Sequence, residues 1–157
     1  WIDSPNSPLY PFGYGLSYTL FEYSPVTLSS NSMLTNGTVK AFVTVKNVGD
    51  FDGDEVVQLY IRDEISSMTR PVKELKAFKK VYIPAGTSVD VEFDITSEML
   101  SWYYVDQYNM YGSNCPAKAD KTIEPGDFRI MIGPNSRDTQ SARLNVHAPR
   151  TDVTHPL

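Results

Sequence analysis

The sequence is poor in the residues that build metal and disulfide sites. It contains one cysteine, Cys115, which excludes an internal disulfide and a multi-thiolate zinc site. Its two histidines, His147 and His155, lie eight residues apart without a cysteine at metal-ligand spacing. We therefore expect solvent-exposed histidines in a C-terminal tail rather than a general base, and no bound metal or cofactor.

Long hydrophobic runs and clusters of positive charge are also missing. The longest apolar run is the four-residue stretch WYYV at 102–105, far below the roughly 18 residues that indicate a membrane span. The chain has 14 basic and 19 acidic residues, a net charge of −5, and its basic residues do not cluster. We therefore expect neither a transmembrane helix nor a surface for nucleic acid or an anionic membrane.

What the sequence does contain is the size and patterning of one β-domain. Its 157 residues and 41% hydrophobic content suffice for a packed core. Hydrophobic and polar residues alternate most regularly at 39–46 and 88–95, which is typical of half-buried strands. Strands are predicted at 20–28, 39–46, 56–62, 75–82, 88–95, 128–132 and 142–146. This series indicates an all-β fold, an antiparallel sandwich of the immunoglobulin or fibronectin type III kind with about seven strands.

Two local signals between the strands carry specific expectations. Asn36-Gly37 predicts a hairpin turn between the first two strands. Asn36-Gly37-Thr38 also satisfies the N-glycosylation sequon, so glycosylation of Asn36 is a second interpretation of the same residues. Thr96 is expected to cap one helical turn that ends near residue 100.

The acidic stretch GDFDGDE at 49–55 is the best candidate for a calcium loop. An EF-hand loop needs glycine at its sixth position and glutamate at its twelfth. Counted from Asp50, Gly53 falls at position 4 and Ile61 at position 12, so the pattern fails. A solvated acidic turn is the better interpretation.

Three segments lie outside the strand pattern. Residues 1–19 contain three prolines and two glycines, which disfavour a helix or a central strand, and they are rich in aromatic side chains. We expect them to form a strap from a preceding domain, because the chain begins at Trp1 like a piece of a longer protein. The sandwich is expected at 20–147, with a long loop at 106–122 and a tail at 148–157.

Aromatic residues cluster at 102–111 as Trp102, Tyr103, Tyr104, Tyr108 and Tyr111. Packing in the core or at a domain interface is one interpretation, since a sandwich of this kind buries a large ring. Stacking on sugar rings is the other, with Tyr108 and Tyr111 as candidate sugar contacts.

Several short segments together resemble a known family. In chain order they are LYPFGYGLSYT at 9–19, VKNVG at 45–49, EVVQLYI at 55–61, RPVKELKAF at 70–78, EPGDF at 124–128 and RIMIG at 129–133. This order is similar to that of the C-terminal fibronectin type III-like domain of glycoside hydrolase family 3, over about residues 3–146. The segment SSMTRPVK at 66–73 resembles bacterial exported β-glucosidases most. Ala77 stands where the family usually has glycine, and the 106–122 loop is longer than the usual connection.

The resemblance implies that the chemistry lies elsewhere in a longer enzyme, the parent. Enzymes of this family are retaining glycosidases that use an aspartate nucleophile and a glutamate acid/base in upstream domains. No residue here matches either motif, so no catalytic residue is expected in this chain. The resemblance implies an accessory, stabilising domain of a β-glucosidase with a periplasmic or extracellular location.

The expected partner is therefore the set of catalytic domains of the parent. Candidate contacts are the aromatic residues of the strap and three charged residues of a polar loop: Tyr10, Phe12, Tyr14, Tyr18, Arg70, Lys73 and Glu74. Two alternatives remain at this point, a carbohydrate-binding module and a free-standing adhesion or assembly domain. Sugar specificity and oligomeric state are not encoded in any motif of this sequence.

Overall fold

Strands make up most of the chain in the computed structural model, which describes residues 7–67, 69–105 and 119–149. The elements in these ranges are β1 (Phe21–Tyr23), β2 (Thr27–Leu28), β3 (Ser32–Leu34), β4 (Thr38–Asn47), β5 (Gly53–Asp63), β6 (Glu74–Ile83), β7 (Ser88–Thr96), α1 (Ser97–Leu100), β8 (Trp102–Val105), β9 (Ala119–Thr122), β10 (Gly126–Gly133) and β11 (Gln140–His147).

Two larger sheets form a sandwich around one core. In the first sheet β1, β2 and β7 all pair antiparallel with β4. The second sheet has the order β3-β11-β10-β5-β6 and is antiparallel except for the parallel pair β3–β11. β8 and β9 form a separate antiparallel pair. The predicted fibronectin type III-like β-sandwich is thus confirmed.

The alternation in the sequence explains which side chains fill the core. On β4 the residues Val39, Ala41, Val43 and Val45 are buried, while Lys40 and its even-numbered neighbours face outward. β7, β10 and β11 contribute their own alternate residues to the same cluster. Each such side chain stabilises the fold by about 1.5–3 kcal/mol when fully buried. The core is therefore large enough to hold the domain together without a disulfide.

The strand predicted at 20–28 is interrupted. β1 ends at Tyr23 and β2 begins at Thr27, because Pro25 has no N–H to donate to the ladder. Ser24 bridges the gap, since its N–H donates to the Thr44 carbonyl (2.9 Å) and its Oγ accepts the Thr44 N–H (2.9 Å). Val26 turns inward and is buried there.

The Asn36-Gly37 turn exists, but the hairpin prediction is wrong. The Gly37 N–H donates to the Leu34 carbonyl (2.8 Å), which closes a turn between β3 and β4. β3 then pairs in parallel with β11 of the other sheet, where Met33 lies opposite Val146. Gly37 also lacks the positive φ that a tight two-residue hairpin requires. The turn therefore carries the chain from the five-stranded sheet to the sheet that contains β4, and Met33 of β3 is buried in the core that both sheets share.

Two further expectations are corrected in part. The helical turn α1 is present, yet the Thr96 side chain makes no capping bond. Ala119–Thr122, expected within the long loop, forms β9 and pairs with β8 from Trp102↔Thr122 to Val105↔Ala119. The rest of that loop, with Tyr108 and Tyr111, lies outside the described residues, as do residues 1–6 and 150–157 of the expected strap and tail.

Candidate interdomain surface

The main chain of the strap (residues 7–19) is bonded to the outer face of the five-stranded sheet. The Gln58 side-chain amide donates to the carbonyls of Gly13 (3.0 Å) and Pro134. The Tyr60 hydroxyl donates to Gln58 Oε1 (2.5 Å). The Ser136 N–H donates to the Phe12 carbonyl (2.8 Å). The first half of the strap is therefore held by specific bonds to β5 and to the turn after β10.

Gln58 and Tyr60 explain why the strap lies where it does. Both project away from the core cluster, yet they are only 5% and 1% exposed. Polar groups buried without partners cost about 1–3 kcal/mol each. The carbonyls of the strap and of Pro134 supply those partners, so the strap covers this outer face of the sheet without leaving the Gln58 amide unpaired.

The second half of the strap ends on another buried amide. Thr19 Oγ1 donates to Asn47 Oδ1 (2.6 Å), and Asn47 Nδ2 donates to the carbonyls of Phe51 (2.8 Å) and Ile83 (2.9 Å). A Cβ atom at Gly49 would lie 2.3 Å from Thr19 Oγ1, so the close approach requires glycine. Asn47 and Gly49 of the VKNVG segment thus join the strap to the ends of β4 and β6.

The strap's large side chains point outward while its main chain is bonded inward. Tyr10, Phe12, Tyr14 and Tyr18, the four predicted aromatic contacts, are between 44% and 97% exposed. Leu9 and Leu16 are exposed as well. The rings of Tyr10 and Tyr14 lie 5.1 Å apart, which makes a small aromatic cluster.

A groove of about 430 Å³ runs between the strap and β6. Its apolar lining comes from Phe12 and Leu16 of the strap, Val56 of β5, and Leu75 and Phe78 of β6. All five of these side chains are exposed. We call these five side chains, together with the exposed strap side chains Leu9, Tyr10, Tyr14 and Tyr18, the strap face.

A carboxylate lies at one end of this groove. Glu55 Oε1 accepts a hydrogen bond from the Tyr23 hydroxyl (2.7 Å), which joins β5 of one sheet to β1 of the other. Burial raises the pKa of Glu55, against the opposing effect of the Tyr23 bond. Burial and the bond to Glu55 raise the pKa of Tyr23, which keeps the phenol protonated. The pair is a polar link between the sheets.

The opposite outer face, on β4 and β7, has a different chemistry. Lys40 Nζ lies 3.0 Å from Glu92 and 3.8 Å from Asp94, and the Thr44 hydroxyl donates to Asp90 (2.6 Å). The bond to Glu92 raises the pKa of Lys40. These side chains are solvated and satisfy one another, so we refer to this surface as the charged face.

The three charged residues predicted as contacts make bonds within the chain. The Arg70 guanidinium pairs with Asp63 Oδ2 and lies 5.3 Å from the centre of the Trp102 ring. Lys73 donates to the Ser136 carbonyl, and Glu74 pairs with Lys76 (2.6 Å). Their predicted contact with other domains stays a prediction, but each already has a role inside the sandwich.

The sequence did not lead us to the residue that anchors the strap, Gln58, or to the residues around Arg70 and Lys73. Gln58 was detectable as the one amide within the otherwise hydrophobic run VVQLYI, of which residues 57–61 are buried. Ser67 also donates from its N–H to Glu124 Oε2 (3.1 Å), and its bonds lower the pKa of Glu124. The same loop exposes the apolar side chains Ile65 and Val72.

The described ranges contain no candidate cluster of metal ligands and no candidate membrane-spanning helix. Among residues 7–67, 69–105 and 119–149, no group of three or more histidine, cysteine or acidic side chains is arranged to hold a metal ion. The same ranges contain no helix with the length and hydropathy to span a membrane.

Curated proteins and solved structures similar to this chain are much longer enzymes. This chain is 44% identical over 136 residues to the periplasmic β-glucosidase of Salmonella typhimurium, and the aligned region covers 87% of this chain and 16% of the relative. A β-xylosidase of Formosa agariphila is 37% identical over 145 residues, covering 91% of this chain and 18% of that protein. The chain thus spans about a sixth of these relatives.

Solved structures agree with the sequence comparison. The β-glucosidase of Listeria innocua is 38% identical with a TM-score of 0.77, covering 93% of this chain and 18% of that one. The GH3 β-glucosidase of Bifidobacterium adolescentis is 30% identical with a TM-score of 0.73, covering 94% of this chain and 20% of that one. The family model that describes a fibronectin type III-like domain matches residues 55–136. The chain therefore belongs to the fibronectin type III-like domain family, in the form that occurs in the C-terminal portion of family 3 β-glucosidases and β-xylosidases.

Proposed function

We propose that this chain is the non-catalytic accessory domain of a family 3 glycoside hydrolase, and that it stabilises the parent by packing its strap face on the catalytic domains. The relatives contain such a domain as a small share of a larger enzyme. A domain of this kind fixes neighbouring domains when it buries apolar surface against them.

The observation that carries the proposal is the contrast between the two outer faces. The strap face exposes Phe12, Leu16 and Phe78, which line one groove together. Exposed apolar patches of this kind mark interaction sites. The charged face also has a groove, but the exposed large hydrophobic side chain there is Phe42 alone, next to polar side chains such as Thr44 and Asp90 that pair with one another.

We propose a retaining β-glucosidase as the parent, in a periplasmic or extracellular location. One relative is named a periplasmic β-glucosidase, and another is named a β-xylosidase. Assay of the full-length parent on nitrophenyl β-glucoside and nitrophenyl β-xyloside measures which of the two it hydrolyses. The isolated chain is expected to hydrolyse neither, because the resemblance assigns the catalytic carboxyl groups to upstream domains.

The accessory role is tested by removing the domain. A parent truncated before residue 7 should lose activity on heating at a temperature several degrees below that of the full-length parent. Its kcat on a short glucoside, measured well below that temperature, should remain close to that of the full-length enzyme. Equal thermal inactivation of the two forms would contradict a stabilising role.

Carbohydrate binding is a second candidate, favoured by the exposed rings of Tyr10, Phe12 and Phe78. Polar side chains beside these rings, such as Gln58 and Glu55, already bond within the domain, which disfavours them as sugar ligands. Pull-down of the isolated chain on insoluble β-glucans separates the two functions. Retention that is lost on Phe78→Ser would support sugar binding.

A further inference from the structure

We infer that the groove between the strap and β6 is a preformed seat for apolar side chains of the parent's catalytic domains, and that Gln58 is the positioning residue that holds the strap in place to form it. This inference rests on the proposed packing role and identifies the surface and the internal bond that prepare it. The inference concerns two features. The first is the set of hydrogen bonds that Gln58 makes beneath the strap, to Gly13, Pro134 and Tyr60, which we call the lock. The second is the groove between the strap and β6.

The lock uses three of the four hydrogen bonds that one amide can make. The carbonyls of Gly13 in the strap and of Pro134 in the turn after β10 can only accept, so the amide nitrogen of Gln58 must face them. Its oxygen then faces the Tyr60 hydroxyl, which donates to it. One orientation of Gln58 satisfies all three contacts, and it fixes the height of Gly13 above β5.

Gly13 has a backbone conformation and a lack of side chain that the contact with Gln58 requires. Its φ of +78° is a conformation that other residues rarely adopt, and a Cβ atom there would lie 2.0 Å from Gln58 Oε1. The Tyr14 N–H donates back to the Pro11 carbonyl (3.1 Å), so the strap turns at this point. The turn sends Phe12 and Leu16 to the same groove wall.

The groove above the lock has apolar side chains on both walls, although Ser17, Asp54 and Glu55 also line it. Phe12 and Leu16 form its strap wall, and Leu75 and Phe78 form its sheet wall. Because the strap main chain is already bonded, these four side chains are presented without the conformational cost of ordering the strap on contact. Preorganisation of this kind strengthens an interface by reducing its entropic cost.

The occupant that we assign is the catalytic part of the same polypeptide rather than a second copy of this chain. The chain matches the C-terminal portion of its relatives and spans about 17% of them, so most of each relative precedes the matching region. The strap is the segment nearest in sequence to that part. Surfaces joined by a short connection meet at a high effective concentration, which favours contact within one polypeptide.

The lock is tested on the isolated chain by hydrogen exchange, where the parent is not needed. Gln58→Leu, and independently Gly13→Ala, should speed exchange at the Ser136 amide, which bonds to Phe12, by at least tenfold. Exchange within the β4–β7 ladder reports that the sandwich itself remains folded. Phe78→Ser, which changes the groove but not the lock, should leave the Ser136 amide protected. Unchanged protection in both lock variants would overturn the positioning role of Gln58, whatever the function of the domain.

The occupant is tested in the full-length parent with the same variants. Gln58→Leu and Phe78→Ser should each lower the temperature at which the catalytic domains unfold, while the oligomeric state in solution stays unchanged. If Phe78→Ser only converts a dimer of the parent into a monomer, the occupant is a second copy and the assignment is wrong. If exchange confirms the lock but neither variant affects the catalytic domains, the groove is not their seat.

Discussion

Two long strands of the domain, β4 and β5, show how the same fold treats a solvated face and a covered one. On β4 buried and solvent-facing residues alternate along almost its whole length. On β5 five consecutive residues, 57–61, are all buried. A strand whose two faces are both covered loses its alternation. The strap causes the difference, because it covers Gln58 and Tyr60 on the outer side of β5.

This comparison explains how one sandwich can have two different outer surfaces. The charged face on β4 and β7 is stabilised by pairs such as Lys40 with Glu92, which need no further partner. On the other side of the sandwich, the polar side chain of Gln58 is hydrogen-bonded to the main chain of the strap that covers it. The exposed large side chains of the strap are hydrophobic. We therefore expect substitutions on the two faces to differ in effect, and most strongly when the parent is present.

The largest effect is expected at the junction of the strap with the sandwich. Asn47→Ala removes the acceptor of Thr19 and the donor to Phe51 and Ile83, and leaves buried groups without partners. A loss of about 3 kcal/mol follows from the usual cost of such groups. For a domain of this size that is a fall in Tm of roughly 6–12 °C, measurable by circular dichroism.

A matched control for that change is Asn145→Ala. Asn145 is exposed and bonds to Asp127 (3.0 Å) at the surface, so its loss should affect Tm little. Similar falls in Tm for the two variants would mean that the Asn47 network does not anchor the strap.

A smaller effect is expected for substitution of one phenylalanine on each face. Which of the two substitutions is the more destabilising should differ between the isolated chain and the parent. Phe78 is 65% exposed on the strap face and Phe42 is 36% exposed on the charged face. In the isolated chain Phe42→Ser should be the more destabilising, because Phe42 is the more buried. In the parent, Phe78→Ser should become the more destabilising, by about 1–2 kcal/mol, because it also loses interface contacts. Thermal unfolding of both variants in both contexts measures the reversal; the same order in each would place the interface elsewhere.

Much of this arrangement can be predicted from sequence because it depends on local pattern. Alternation identified the inward residues of β4 and β7, and the aromatic content of residues 1–19 indicated that the strap had a surface to present. Segment order led to the family. Each of these signals lies within a short stretch of the chain, where one covered face imposes a period of two on the side chains.

The remaining features depend on partners far away in sequence. β3 was not predicted as a strand, since its three residues form one only beside β11. Ala119–Thr122 lacks strand patterning and pairs only because β8 lies next to it. Arg70 was expected to face another domain, but its nearest acidic and aromatic partners, Asp63 and Trp102, come from two other segments of the chain. No local pattern contains that information.

The smallest expected effect compares one carboxylate from each side of the sandwich. Burial raises the pKa of Glu55, so the folded state binds its proton more tightly than the unfolded state does. The resulting stability is present at pH values below the ordinary glutamate pKa of about 4.3 and is lost as pH rises through the raised value. Glu55→Gln keeps the acceptor for Tyr23 and never becomes charged. It should therefore raise Tm at neutral pH, and this gain should disappear near pH 4.

The matched variant on the charged face is Glu92→Gln. Glu92 forms a solvated pair with Lys40, and exposed pairs of this kind contribute little because water and salt screen them. Its Tm should differ little from that of the original chain at neutral pH and moderate salt. The Tm of both variants is to be measured between pH 4 and pH 8. A pH-dependent increase in Tm for Glu55→Gln alone would show that the Glu55 carboxylate beside the groove is desolvated. An equal response of the two variants would mean that Glu55 is as solvated as Glu92.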